Sequence, residues 1–134
     1  MITIEELLSG NDYNSLTPFI QANINDLLMR LNIIRIAYNK PMYSTSGLRS
    51  IKHHLEIYAA KGITDTSRIP MKSSHLSGQA DDISDPNKEL QKFILLNVKL
   101  LEDAGLWCES FCFTPTWVHF QSVAPLSGRR FFMP

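Results

Sequence analysis

A histidine, a glycine, a small residue and an aspartate follow one another in SSHLSGQADD, residues 73–82. Gly78 lets the backbone turn tightly after His75, and Ala80 leaves room beside the turn. The chain then enters a short extended stretch, QADDI, that carries Asp82. Such a turn can bring the His75 imidazole and the Asp82 carboxylate to one point. A third ligand must come from elsewhere, and His119 in TWVHF stands on an expected strand. Two imidazole nitrogens and one carboxylate oxygen, with a position left for water, are what a catalytic zinc requires. A metal held this way lowers the pKa of its water to roughly 7 and polarises a carbonyl. The spacing alone equally accommodates a strand histidine packed between Trp117 and Phe120, so it poses a metal centre without deciding it.

Ser73, His75, Gly78, Ala80 and Asp82 together spell Ser-x-His-x-x-Gly-x-Ala-x-Asp. That pattern resembles the metal motif of the zinc D-Ala-D-Ala carboxypeptidase family of peptidoglycan peptidases. Further segments are similar in the same order. YSTSGLRS resembles the stretch in which a family arginine faces the substrate, which falls on Arg49. WVHFQS resembles the strand bearing the last zinc histidine, and SGRRFF the Arg-containing tail of phage-type members. The resemblance covers roughly residues 40–132.

What the resemblance implies is specific. Zn2+ is held by His75, Asp82 and His119. Arg49 stabilises an oxyanion or holds a substrate carbonyl, a task suited to a guanidinium. Ser73 contacts the substrate or supports the ligands. The implied reaction is hydrolysis of a peptide bond in the stem or cross-link of bacterial peptidoglycan, by a chain of the single-domain, endolysin-like kind. Such a chain acts as a monomer on the wall after holin-assisted release, or rides on a virion. The implied fold is that of the hedgehog and DD-peptidase group.

One position departs from the family pattern. Many relatives carry an acidic residue three positions before the last histidine, where it takes a proton from the attacking water; here that position is Thr116. Loss of a general base costs about 10²- to 10⁴-fold in rate. Glu109 is the replacement candidate, on a condition set by strand geometry. A two-residue turn at Thr114 and Pro115 sets His119 opposite Ser110 and turns Glu109 to the other face. A three-residue loop sets His119 opposite Phe111, and Glu109 then shares its face. Asp81 is the next candidate, but strand alternation points it away from Asp82.

The elements that must position these residues read as α+β, with helices first and an antiparallel sheet built on a terminal hairpin. IEELLSG is a short helix behind Thr3. LTPFIQANINDLLMRLNIIRIAYNKP is a long one, with Thr17 as N-cap, Pro18 in the first position and Pro41 as stop. Its apolar residues Ile20, Ile24, Leu27, Leu28, Leu31, Ile34 and Ala37 recur at three- and four-residue steps. SIKHHLEIYAAKG is a third helix and ITDTSRIPMKSS a loop. DPNKELQKFILLNVKLLEDAG reads as one helix from Asp85 and Pro86 to Gly105. LWCESFCF and TWVHFQSV read as two strands joined tightly at Thr-Pro.

Composition bounds the rest. The chain of 134 residues fits one domain, large enough to fold without disulfides or structural metal. Thirteen basic and thirteen acidic residues cancel, and no basic stripe suggests a nucleic-acid partner. No apolar run reaches the length of a membrane span, and MITIEELLSGND lacks the basic-then-apolar start of a secretory signal, so synthesis in the cytoplasm is expected. His53 and His54 point different ways from one helix, exposed or partly packed. Cys108 and Cys112 read as small buried hydrophobes, Asp85 as a helix cap, Trp117 and the Phe-rich tail as core, and Arg129 and Arg130 as surface charges.

Overall fold

The computed structural model describes residues 1–134. Five helices and a five-stranded sheet build an α+β fold. The helices are α1 (Ile4–Leu8), α2 (Pro18–Tyr38), α3 (Ile51–Ala60), α4 (Glu89–Leu96) and α5 (Val98–Asp103). The strands are β1 (Ser44–Ser46), β2 (Ala80–Ser84), β3 (Trp107–Glu109), β4 (Trp117–Gln121) and β5 (Phe131–Phe132), in the order β1-β2-β4-β3-β5. No helix is long and apolar enough to cross a membrane.

The helix starts follow the capping chemistry. Thr3 and Glu6 close a reciprocal capping box on α1, and Thr17 caps α2 ahead of Pro18. Ser50 caps α3 through the His53 amide. Ile24, Leu27, Leu31 and Ile34 of α2 are buried, so the long helix lays one apolar stripe into the core. Ala37 of that stripe is exposed. Leu90, Ile94, Leu101 and Ala104 enter the same core.

Sheet alternation then divides residues between two faces. Ile83, Val118, Phe120 and Cys108 face the helices and are buried. Asp82, Trp117, His119, Gln121 and Glu109 fall on the opposite face. Asp81 lies on the helix side, as alternation requires, and accepts a hydrogen bond from Ser44. Burial pushes its carboxyl up to about 8.

Three expectations about the elements need correction. The segment from Asp85 to Gly105 is two helices. Residues 85–88 form a turn, with Lys88 in the left-handed region at φ 60°, so the first helix starts at Glu89. Asp85 still caps it, at longer reach, by accepting the Leu90 and Gln91 amides at 3.1 and 2.9 Å. At Asn97 the side-chain amide donates to the Phe93 carbonyl and the backbone leaves the helical region, which ends α4. Second, the sheet is mixed, because β5 returns parallel to β3. Third, residues 110–116 separate β3 from β4, so the hairpin is not tight. The short strands β1 and β5 carried no apolar alternation that would have marked them.

Asp85 is buried and satisfies two amides that have no helical partner. Asp85→Ala is therefore expected to cost about 1–2 kcal/mol, read as a lower urea midpoint with an unchanged slope.

Candidate metal centre

Each candidate ligand is set by a different piece of backbone. Antiparallel pairing of β2 with β4 places Asp82 directly opposite His119, on the face away from the helices. His75 arrives from the turn that precedes β2. Gly78 adopts φ +74° there, and its hydrogen side abuts Ile20 and Ile24 of α2, leaving no room for a side chain. Asn23 of α2 donates to the Ser77 carbonyl at 3.0 Å and pins the same turn.

A second loop steadies His75 from the other side. The His75 carbonyl accepts the Arg49 amide at 3.1 Å, and His75 Nδ1–H donates to the Gly47 carbonyl at 2.9 Å. Gly47 itself lies flat on α1, where any Cβ would collide with the Leu7 carbonyl. The glycine in YSTSGLRS thus seats the loop that orients the ligand.

The three side chains converge. Asp82 Oδ1 lies 2.9 Å from His119 Nδ1, and Asp82 Oδ2 lies 3.5 Å from His75 Nε2. One ligand atom from each residue falls within 4.8 Å of the other two. The rings stand edge to face, 5.1 Å between centroids. Both histidines are 5% exposed, so little water competes for their nitrogens.

Charge is balanced within the group. Burial alone would raise the Asp82 carboxyl, but hydrogen bonds and charge from His119 and His75 outweigh it and hold the group well below the usual carboxylate range. Burial alone would lower His119; the hydrogen bond and charge of Asp82, with Glu109 and Gln121 behind them, raise it instead.

The donor set fits a divalent metal of the zinc type. Two imidazoles and a carboxylate meet there, and each imidazole has its other nitrogen occupied, which leaves one nitrogen apiece turned toward the carboxylate. His75 keeps Nδ1 on Gly47, and His119 keeps Nε2 on Gln121 at 2.9 Å. Asp and His ligands would also accept manganese, nickel or cobalt.

Glu109 joins this face. Trp107 pairs with Gln121 and Cys108 with Phe120, and the same register continued sets Glu109 level with His119. Its Oε1 is 4.0 Å from His119 Nδ1. The loop from 110 to 116 is longer than either turn considered from sequence, yet it gives the alternation that the three-residue case required. Thr116 lies at the rim. It lines a small cleft of about 300 Å³ with Thr45, Asp82, Ser84 and Trp117. Trp117 is thus a wall of the site face, where core packing was expected.

Arg49 and Ser73 both touch the His75 backbone, Arg49 through its own amide and Ser73 through its hydroxyl. The Arg49 side chain bonds Ser46 Oγ at 3.4 Å and none of the three ligands, and its Nε is buried without a partner. It lines a polar cleft of about 600 Å³ together with Glu5, Glu6, Ser46, Ser50 and His53. Ser73 Oγ accepts the His75 amide at 3.3 Å and so braces the ligand turn.

The remaining residues sort by burial. His53 is exposed. His54 is fully buried and hydrogen-bonded through Nε2 to the Pro70 carbonyl at 3.0 Å, fastening the loop after α3. Cys108 is core, its thiol pushed far up by burial, whereas Cys112 is exposed, contrary to expectation, and outside the ligand group. Arg129 is exposed, but Arg130 packs over Trp107 and donates to the Leu106 carbonyl at 2.8 Å, closing β5 onto the sheet. Gln121, which bridges His119 and Ser74, was not foreseen; only its place two residues beyond His119 on the same strand face could have marked it.

No protein-family model matches the chain, and neither a curated protein nor a solved structure matches it. The functional reading therefore stands on the geometry and on the motif.

Proposed function

We propose that the chain is a zinc metallopeptidase that hydrolyses a peptide bond in the stem or cross-link of bacterial peptidoglycan. The observation that carries the reading is the convergence of His75, Asp82 and His119 on one buried point, from the positions that the Ser-x-His-x-x-Gly-x-Ala-x-Asp motif and the WVHFQS segment imply. The hedgehog and DD-peptidase type of fold, a monomeric state and action at the wall after release or from a virion belong to the same proposal.

Each side chain has a task in this reading. His75 Nε2, Asp82 and His119 Nδ1 would hold the metal, which when bound supplies Lewis acidity toward a carbonyl and toward water. Glu109, on the open side of His119, takes the proton of the attacking water and passes it to the leaving amine. The Arg49 guanidinium, which lines the polar cleft with Ser46 and Ser50, binds the developing oxyanion or a neighbouring carbonyl of the peptide. Thr45, Ser84, Thr116 and Trp117 form the shallow wall along which the peptide lies.

The test joins metal content to turnover. Purified protein is assayed on muropeptides before and after chelation, with His119→Ala alongside. One zinc per chain and turnover restored by added metal are the expected results, and product masses name the bond cut. Stoichiometric metal without turnover on any muropeptide would make the chain a peptide-binding module, a reading that Thr116 favours. Absence of bound metal would sink the proposal.

A further inference from the structure

Three of the four bonding positions of the Gln121 amide are in use. Its Oε1 accepts from His119 Nε2–H at 2.9 Å and from the Ser74 hydroxyl at 3.2 Å, while its Nε2 donates to the Val123 carbonyl at 2.8 Å. A carbonyl only accepts, so a reversed amide would set oxygen against oxygen at Val123. The amide oxygen is thereby committed to His119. Gln121 is 7% exposed, which keeps water from replacing it.

We propose that Gln121 is the positioning residue that keeps a proton on His119 Nε2 and so presents the Nδ1 lone pair to a divalent metal ion. The inference rests on the metal-centre reading above. A device of this kind is needed because Nδ1 lies 2.9 Å from Asp82 Oδ1, and a carboxylate is a stronger acceptor than an amide. With no acceptor at Nε2, a neutral ring would place its single proton on Nδ1, bonded to Asp82 and closed to a metal. An acceptor at Nε2 makes the metal-ready tautomer fully hydrogen-bonded.

His75 solves the same problem with the nitrogens exchanged: Nδ1 is held by the Gly47 carbonyl and Nε2 faces Asp82. There the partner is backbone, fixed by the loop. At His119 it is a side chain, so its role can be removed by substitution. The bond from Ser74 also ties Gln121 to the turn that bears His75, so one amide orders both histidine-bearing segments.

The experiment measures zinc affinity of the full chain by competition with a chromophoric chelator, for wild type, Gln121→Met and Gln121→Glu. Ring ¹⁵N spectra of His119 are recorded with and without zinc, and thermal melting checks the fold of each variant. Gln121→Met is expected to weaken zinc binding about 10- to 100-fold, the usual cost of an outer hydrogen-bond partner, and to lose the protected Nε2–H signal. Gln121→Glu keeps an acceptor oxygen but not the donor to Val123, and is expected to stay within a few-fold of wild type.

Equal affinity in Gln121→Met and wild type overturns the inference. So does equal loss in both variants, which would trace to the Val123 bond and leave Gln121 a structural role only. The wild-type spectrum decides even if a variant fails to fold, because zinc found on Nε2 instead of Nδ1 refutes the tautomer assignment. A wild-type chain that takes up no zinc refutes the metal centre itself, and this role with it.

Discussion

Substitution of His75 by alanine is expected to abolish the response of the melting temperature to zinc. A ligand that binds only the folded chain stabilises it by about 2.7 kcal/mol at a free concentration one hundred times Kd. For a chain of 134 residues that is a rise on the order of 10 °C. The wild-type protein should show this rise, because all three ligand atoms are placed before metal arrives and little ordering opposes binding. His75→Ala leaves one imidazole and one carboxylate, and the affinity should fall by more than the roughly 10- to 100-fold that an outer partner costs. The substitution also removes the bond to Gly47, so the metal-free protein should melt lower as well. The difference between melts with and without zinc isolates the ligand role. Asp82→Asn serves as a second arm, since it keeps the shape of the side chain while removing the charge that the two imidazoles surround. A zinc-induced rise in His75→Ala equal to that of the wild type would show that metal binds elsewhere.

The ligand turn was legible because its constraint is local. His75, Gly78 and Asp82 lie within one short segment, and the glycine is needed at φ +74° against α2. The long helix was legible for a similar reason, since the Thr17 cap, Pro18 and an apolar stripe, four of whose residues are buried, all name the same element. Glu109 was not decided by sequence, because its face depends on a register that the loop from 110 to 116 does not encode. Gln121 was invisible because its importance comes from Ser74 and His119, which only the fold brings to it. The break at Asn97 was missed for the opposite reason. Apolar periodicity ran through it, and a local side-chain bond overrode the pattern. The three-residue β1 and two-residue β5 gain their pairing from the neighbours they meet, Asp82 and Ile83 for one and Cys108 and Glu109 for the other.

Glu109→Gln is expected to lower peptide turnover about 10²- to 10⁴-fold while leaving zinc affinity within a few-fold of wild type. The separation of the two effects follows from position. At 4.0 Å from His119 Nδ1, the Glu109 carboxylate stands beside the ligand group and not within it. Its side chain is partly open to solvent, so a water can reach it, whereas Asp81 is sealed behind the sheet against Ser44 and cannot serve. Thr116 sits at the rim with a hydroxyl that cannot take up a proton near neutral pH, which leaves Glu109 as the candidate acid-base residue of the proposed mechanism. Glutamine preserves size and hydrogen bonding but cannot take up the proton, so the loss should appear in kcat with KM little changed. A fall in zinc affinity equal to that of a ligand variant would instead make Glu109 a fourth ligand and the centre a closed, structural one. Full turnover in Glu109→Gln would remove it from the proposed mechanism and leave proton transfer to bulk water.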